Sequence, residues 1–300
     1  MSIYLEKLKE PPELPEALYA LIGTDSVEMY RFMDSSVYDE GKGYNTYRLD
    51  AGGRSFVLKR YSAPEDLEAE VRQYSLLKGL PVPKLLGVYD GCILMDYVTG
   101  DDLKLPSDDA IREAAKSLAA IMNAYPMDRG YSAERYDRYL RRLEKRAGYL
   151  LNEPELKQAF NIFFERQKEI PLTLSNGDLL PINILYDGEK ATIIDWEFGG
   201  FMPYALDIAR LIAHATPDGE VTSFHMSDEQ KGMFVDLVYD MLSVKPTREI
   251  YDRDILLARF NECIEILEYY LNDPSVVRDA VFELYYPTAH RLAKEIVHAI

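Results

Sequence analysis

The chain has 300 residues, of which 47% are hydrophobic and 28% charged, and it carries a formal net charge of -17. That length exceeds what one hydrophobic core comfortably serves, so two packed lobes are expected. A chain this acidic lacks the surplus of Lys and Arg that nucleic acid or an anionic membrane surface demands, so neither is expected as a partner.

The opening Met1-Ser2-Ile3-Tyr4-Leu5-Glu6-Lys7 has neither the basic start nor the apolar core of a signal peptide. With only Cys92 and Cys263 there is no disulfide framework, and a cytoplasmic location is expected. The pattern predicts a short helix over 13–22. Strands follow at Val27–Phe32, Tyr44–Leu49 and Ser55–Tyr61, the last two joined by a hairpin at Gly52-Gly53. Ala63-Pro64-Glu65-Asp66 opens a helix to about Lys78, with Leu67, Val71, Tyr74 and Leu77 on one face. Pro81 and Pro83 end it. Leu85–Tyr89 and Cys92–Tyr97 read as two further strands turned at Asp90-Gly91.

After Gly100 the character changes. Ser107 caps a helix that runs to about Ala124, and charged amphipathic helices follow over 131–150 and 153–169. A β-island interrupts them at Leu172–Leu174, Asn183–Tyr186 and Ala191–Asp195, and from Pro203 the rest is mostly helical. The expected hinge between lobes is Met95–Gly100.

The β-island holds the chemistry. Two apolar strands flank Asn176-Gly177-Asp178-Leu179-Leu180-Pro181-Ile182-Asn183, and Ile193-Ile194-Asp195-Trp196-Glu197 ends the next strand. Three oxygen-bearing side chains at strand ends can converge on one point, and magnesium prefers few such protein ligands, taking the rest from water and phosphate. In the first lobe, Lys59 lies on a strand and Glu70 on the helix after it, with Glu68 on a different face as the competing partner. Gly41 and Gly43 could let backbone approach a phosphate, or simply make a turn. No Gly-x4-Gly-Lys segment occurs, which excludes a Walker-type nucleotide site.

Asp178-x4-Asn183 followed by Asp195 resembles the catalytic loop and metal-binding Asp of protein kinases. It is closer still to the aminoglycoside phosphotransferase and choline kinase family, which shows His-Gly-Asp, four residues, Asn, then Ile-Asp-Trp or Ile-Asp-Phe and an acid. Asp207-Ile208-Ala209-Arg210 resembles that family's Asp-Leu-Ala segment. The resemblance implies an α+β, protein-kinase-like, two-lobed fold. A small N-terminal antiparallel sheet plus one helix would span 1–97. A larger, mainly helical lobe carrying the β-island would span 98–300.

It also implies a small-molecule kinase using ATP and Mg2+. Asp178 would be the catalytic base, and Asn183 and Asp195 would bind magnesium with help from Glu197. Lys59 would grip the α- and β-phosphates while paired with Glu70. Gly41 and Gly43 would cover the phosphates, and backbone groups at Asp96 and Val98 would bind adenine. Asp207 is expected to brace the loop. The acceptor is expected to be a small cationic molecule, amino- or ammonium-bearing, received by C-terminal acids and tyrosines: Glu265, Glu268, Tyr269, Tyr270, Glu283, Tyr285 and Tyr286. One departure is Asn176, where the family has His; it leaves a non-catalytic, nucleotide-binding pseudokinase as the alternative.

Overall fold

Residues 3–24, 26–34, 43–131, 134–273 and 275–298 are described by a computed structural model. Contacts divide the chain into two units, Met1–Thr99 and Gly100–Ile300.

The first unit is built on a six-stranded antiparallel sheet. Its elements are β1 (Ile3–Lys7), α1 (Glu16–Ile22), β2 (Glu28–Asp34), β3 (Gly43–Ala51), β4 (Arg54–Arg60), α2 (Pro64–Leu76), β5 (Leu85–Tyr89) and β6 (Cys92–Asp96), with sheet order β1-β2-β3-β4-β6-β5. The β3–β4 hairpin turns at Gly52 and Gly53, both at positive φ (57° and 75°), the pair of left-handed conformations that a tight two-residue turn requires. Alternation decides which side chains go where. Phe56 and Leu58 of β4 are fully buried with Leu18 and Ile22 of α1 and Leu49 and Leu94 of the neighbouring strands. Lys59, one position out of phase, projects from the other face.

Helix α2 starts as its sequence dictates, from an extended Ala63 into Pro64 with Glu65 and Asp66 in the first turn. Its buried positions are Glu70, Gln73 and Tyr74, so a carboxylate and an amide occupy the face that spacing assigns to apolar residues. Strand β1 was not expected from the sequence. It is an edge strand whose Tyr4, Glu6 and Lys7 are exposed, so it lacks a period-two apolar signal.

The second unit is mainly helical: α3 (Asp108–Ala124), α4 (Glu134–Tyr149), α5 (Pro154–Gln167), α6 (Ala205–Ala213), α7 (Asp228–Met241), α8 (Arg248–Asn272) and α9 (Ala280–His298). Two small sheets interrupt it. One has the order β10 (Ala191–Ile193), β9 (Ile184–Tyr186), β7 (Asp101–Asp102), and the other pairs β11 (Gly200–Pro203) with β8 (Leu172–Ser175). Ser107 caps α3 by accepting from the Ala110 N–H (3.2 Å). Alanines 110, 114, 115 and 119 keep that helix slim, and Ser117 donates to the Ala191 carbonyl of β10 (2.6 Å). The core of α5, α8 and α9 gathers Phe160, Phe163, Phe260, Leu267 and Phe282. Among the described residues no helix is long and apolar enough to cross a membrane.

Candidate active site

The loop from β8 to β11 positions the expected catalytic residues, and its backbone is fixed by side chains on all sides. Gly177 adopts φ +78°, and a Cβ there would stand 2.2 Å from the Phe198 carbonyl oxygen, so only glycine fits. Asp207, at the start of α6, is buried and accepts from the Ser175 hydroxyl (2.8 Å) and from the backbone N–H groups of Asn176 (2.7 Å) and Gly177 (3.0 Å). Burial raises its carboxyl above the ordinary value, and these donors and Arg210 pull the other way. Its contacts are those of the expected loop brace.

Asn176 is fully buried. Its Nδ2 donates to the carbonyls of Ile194 (3.1 Å) and Asp195 (2.9 Å), and its Oδ1 accepts from the Asp178 N–H (3.2 Å). One side chain thus ties the segment bearing Asp178 to the segment bearing Asp195. Asn183 completes the tie. Its Nδ2 donates to the Asp178 carbonyl (2.8 Å), and its own carbonyl accepts from the Ile194 N–H (2.9 Å).

Two boundaries differ from the sequence reading. Asn183 ends a 3-10 turn over Pro181–Asn183 rather than starting a strand, because Pro181 with its fixed φ begins a turn. Strand β10 stops at Ile193, and Asp195 beyond it sits at φ 56°, a left-handed conformation uncommon for a residue with a Cβ. Trp196 is buried, and its Nε1 donates to the Ile193 carbonyl (3.0 Å), so it packs as expected.

Asp178 has a partner that the sequence did not disclose. Arg210 of α6 places Nε 2.7 Å and Nη2 2.6 Å from the same oxygen, Oδ1. Oδ2 has no donor among the described residues. Arg210 also donates through Nη1 to Glu262 of α8 (2.7 Å), and Glu262 contacts Nε2 of His214 (3.1 Å), whose Nδ1 meets the Tyr285 hydroxyl (2.8 Å). Burial alone would lower the Arg210 pKa, but Glu262, Asp178 and Glu265 outweigh it and raise it, so the guanidinium stays charged.

A cavity of about 530 Å³, wholly within the second unit, opens beside Asp178. Arg135, Arg138 and Arg142 of α4, Phe198, and Glu262 and Glu265 of α8 share its walls. Of the C-terminal acids and tyrosines expected to receive an ammonium group, only Glu265 lines it. That carboxylate is already paired with Arg146 (3.0 Å) and Arg142 (3.3 Å). Glu268 pairs with Arg146 (2.8 Å), Tyr285 bonds to His214, Tyr286 bonds to Glu153 and stacks on Phe282, Tyr270 bonds to Asp279, and Tyr269 and Glu283 are exposed. These contacts are set by helix packing, which spacing alone does not reveal.

In the first unit, Lys59 Nζ lies 3.0 Å and 3.4 Å from the two carboxylate oxygens of Glu70. The pair is largely buried, with 15% and 4% of the side chains exposed, whereas Glu68 pairs with Arg72 at the surface. Gly41 lies outside the described residues. Gly43 opens β3, and the close approach it permits is that of Arg31, which donates to the carbonyls of Gly43 (2.9 Å) and Tyr44 (2.8 Å). At the end of β6 the Asp96 N–H donates to the Lys84 carbonyl (3.0 Å), and Val98 follows two residues beyond that strand. Asp195 and Glu197 are exposed, and the Glu197 carbonyl accepts from Arg135 (3.2 Å).

The model of the phosphotransferase enzyme family matches residues 38–229, more than half of the chain and inclusive of every loop residue just described. The chain belongs to the phosphotransferase enzyme family. Among curated relatives of this phosphotransferase is Protein LicA of Haemophilus influenzae, 27% identical over 192 residues that cover 59% of this chain and 72% of that protein. Its fold is shared by choline kinase LicA from Streptococcus pneumoniae (TM-score 0.56, 17% identity, 84% of this chain and 90% of that one). It is shared too by an ADP-bound aminoglycoside phosphotransferase (TM-score 0.57, 12% identity, 94% and 97%). The fold of this phosphotransferase is therefore the α+β, protein-kinase-like one.

Proposed function

We propose that the protein is an ATP- and magnesium-dependent kinase that phosphorylates a hydroxyl group of a small molecule. One observation carries the reading. Asp178 has one oxygen clamped by Arg210 and lines a cavity large enough for a small acceptor, on a loop that Asn176 ties to Asp195 and that Asn183 ties to itself through the Asp178 carbonyl. The family membership and the ADP named in one structural relative support the nucleotide.

In this reading Asp178 Oδ2 accepts the proton of the acceptor hydroxyl. The hydroxyl oxygen bonds to the γ-phosphorus of ATP, the bond from that phosphorus to the β,γ-bridging oxygen breaks, and ADP departs. Arg210 holds the carboxylate in place and keeps its charge compensated between turnovers. The Lys59 ammonium, fixed by Glu70, meets the α- and β-phosphates, and the Val98 backbone meets adenine. Phosphoryl transfer of this kind needs placement and charge neutralisation above all.

The donor set suits magnesium. Asn183 spends its amide nitrogen on Asp178, which presents its oxygen, and Asp195 adds a carboxylate at an exposed position, with Glu197 two residues on. Among the described residues no three His, Cys, Asp or Glu side chains form a metal cage, so a hard cation here takes its remaining ligands from phosphate and water. When bound, magnesium neutralises the phosphate charge.

The pseudokinase alternative rested on Asn176. That residue makes the bracing contacts asked of the family's His, so it gives no reason to doubt catalysis. The test is a screen of hydroxyl-bearing acceptors with purified protein and Mg-ATP, read as ADP release. Acceptor-dependent ADP formation is expected; tight Mg-ATP binding without transfer to any acceptor would revive the pseudokinase.

A further inference from the structure

We propose that the acceptor carries an anionic oxygen group, a carboxylate or a phosphate monoester, which is held by Arg135 with Arg138 and Arg142 in the cavity beside Asp178. The inference rests on the kinase reading and names the acceptor class for that site.

The carboxylates of the cavity are already matched. Asp178 is clamped by Arg210, Glu262 by Arg210 and His214, and Glu265 by Arg142 and Arg146, while Asp207 is consumed by the loop's backbone N–H groups. Two arginines of α4, Arg135 and Arg138, are not matched in the same way, and Arg142 shares Glu265 with Arg146. Arg135, Arg138 and Arg142 recur at three- and four-residue spacing, so one helical face turns three guanidinium groups to the cavity.

Arg135 has no carboxylate within ion-pair distance among the described residues. Its contacts are the Glu197 carbonyl (3.2 Å) and the face of the Phe198 ring (5.5 Å to the centroid). Among the described residues Arg138 has one ion-pair partner, Glu134, at 3.8 Å on the surface. Arg135 is placed with care nonetheless. Its stem lies against Gly200 of β11, where an added Cβ would come within 3.2 Å of it. Burial first and then Arg138 depress the Arg135 pKa, Glu197 counters in part and Arg142 depresses it further, so the balance leaves a charge that a bound anion would compensate. A planar guanidinium recognises carboxylate and phosphate alike through paired N–H donors. The overall charge of -17 would repel an anion at long range, which makes a local cluster of this sign the more informative feature.

The experiment uses two matched sets of probes: glycerol, glycerate, glycerol phosphate and aminopropanediol, then glucose, gluconate, glucose phosphate and glucosamine. Binding is measured by calorimetry, and turnover by ADP release with Mg-ATP. The expected result is that anionic members bind tighter and show the lower KM. Arg135→Gln should raise that KM by about ten- to a hundredfold and abolish the preference over the neutral member, and Arg135→Lys should restore part of it. The carboxylate and phosphate arms tell the two anions apart. Arg138→Gln, on an exposed side chain, gives the same direction of change should Arg135→Gln fold poorly. Preference for the amino members, or a preference for anions that survives both substitutions, overturns the proposal. Arginine-dependent anion binding with no ADP release from any probe upholds the anion site and sinks the kinase reading instead.

Discussion

Asn176 commits its entire side chain to the loop it begins, and removing it strands three backbone groups. Asn176→Ala leaves the Asp178 N–H and the carbonyls of Ile194 and Asp195 without that partner. Thermal or urea unfolding should show a loss of about 1–3 kcal/mol, together with slower turnover. Asp195 makes a complementary case. Its φ of 56° lies in a region that, glycine aside, short polar residues such as Asp and Asn visit most readily. Asparagine tolerates the same conformation. Asp195→Asn should therefore cost less than about 1 kcal/mol of stability yet lower turnover by about a hundredfold or more at saturating Mg-ATP. Equal losses in both would assign Asp195 a structural role. The spacing of Asp178, Asn183 and Asp195 was legible in the sequence because the loop is local. Arg210 was quoted there only as part of a segment, since its partners lie 32 and 52 positions away and meet it only when α6 and α8 pack.

Helices α6 and α8 form one electrostatic element through Arg210 and Glu262. Burial alone would raise the Glu262 carboxyl, but Arg210 and His214 hold it down to about 2, below its ordinary 4.5. As pH falls, the unfolded chain takes up this proton first. The stability that Glu262 contributes is therefore complete above about pH 4.5 and is lost between there and about pH 2. Asp207 acts with the opposite sign. Its folded pKa is raised above 3.8, so its contribution declines as pH rises through the folded value. Glu262→Gln should lower stability at neutral pH by about 3 kcal/mol and flatten the acid limb of the urea-midpoint profile. An unaltered limb would show that the ion pair contributes nothing net. Element types were largely readable from periodicity and caps: Ser107, Pro64 and the Gly52-Gly53 turn each stand where the chain obeys them. The short β7 and β11 were not, because Asp101-Asp102 and a segment running from Gly200 to Pro203 carry residues that are depleted in strands.

At the scale of the molecule, the sequence changes from strand-rich to helix-rich near Gly100, where the spacing of apolar residues passes from a period of two to about 3.6. The character of the acceptor wall was not legible, because the acids of α8 are neutralised by α4 arginines more than a hundred positions away in sequence. The net charge of -17 makes self-repulsion a feature of the whole fold. Raising salt from low to moderate concentration should lift the thermal midpoint by screening it. Mg-ATP should lift it further, by about 2.7 kcal/mol of stability at a hundredfold excess over its Kd. Lys59→Ala should remove most of that nucleotide-dependent gain.

Asp178→Asn offers the most direct test of the phosphotransfer assignment, measured as acceptor-dependent ADP release beside calorimetric Mg-ATP binding in the same preparation. Release lowered by about a hundredfold or more, with nucleotide affinity retained, is the predicted result. Release at the rate of the unsubstituted protein would contradict it.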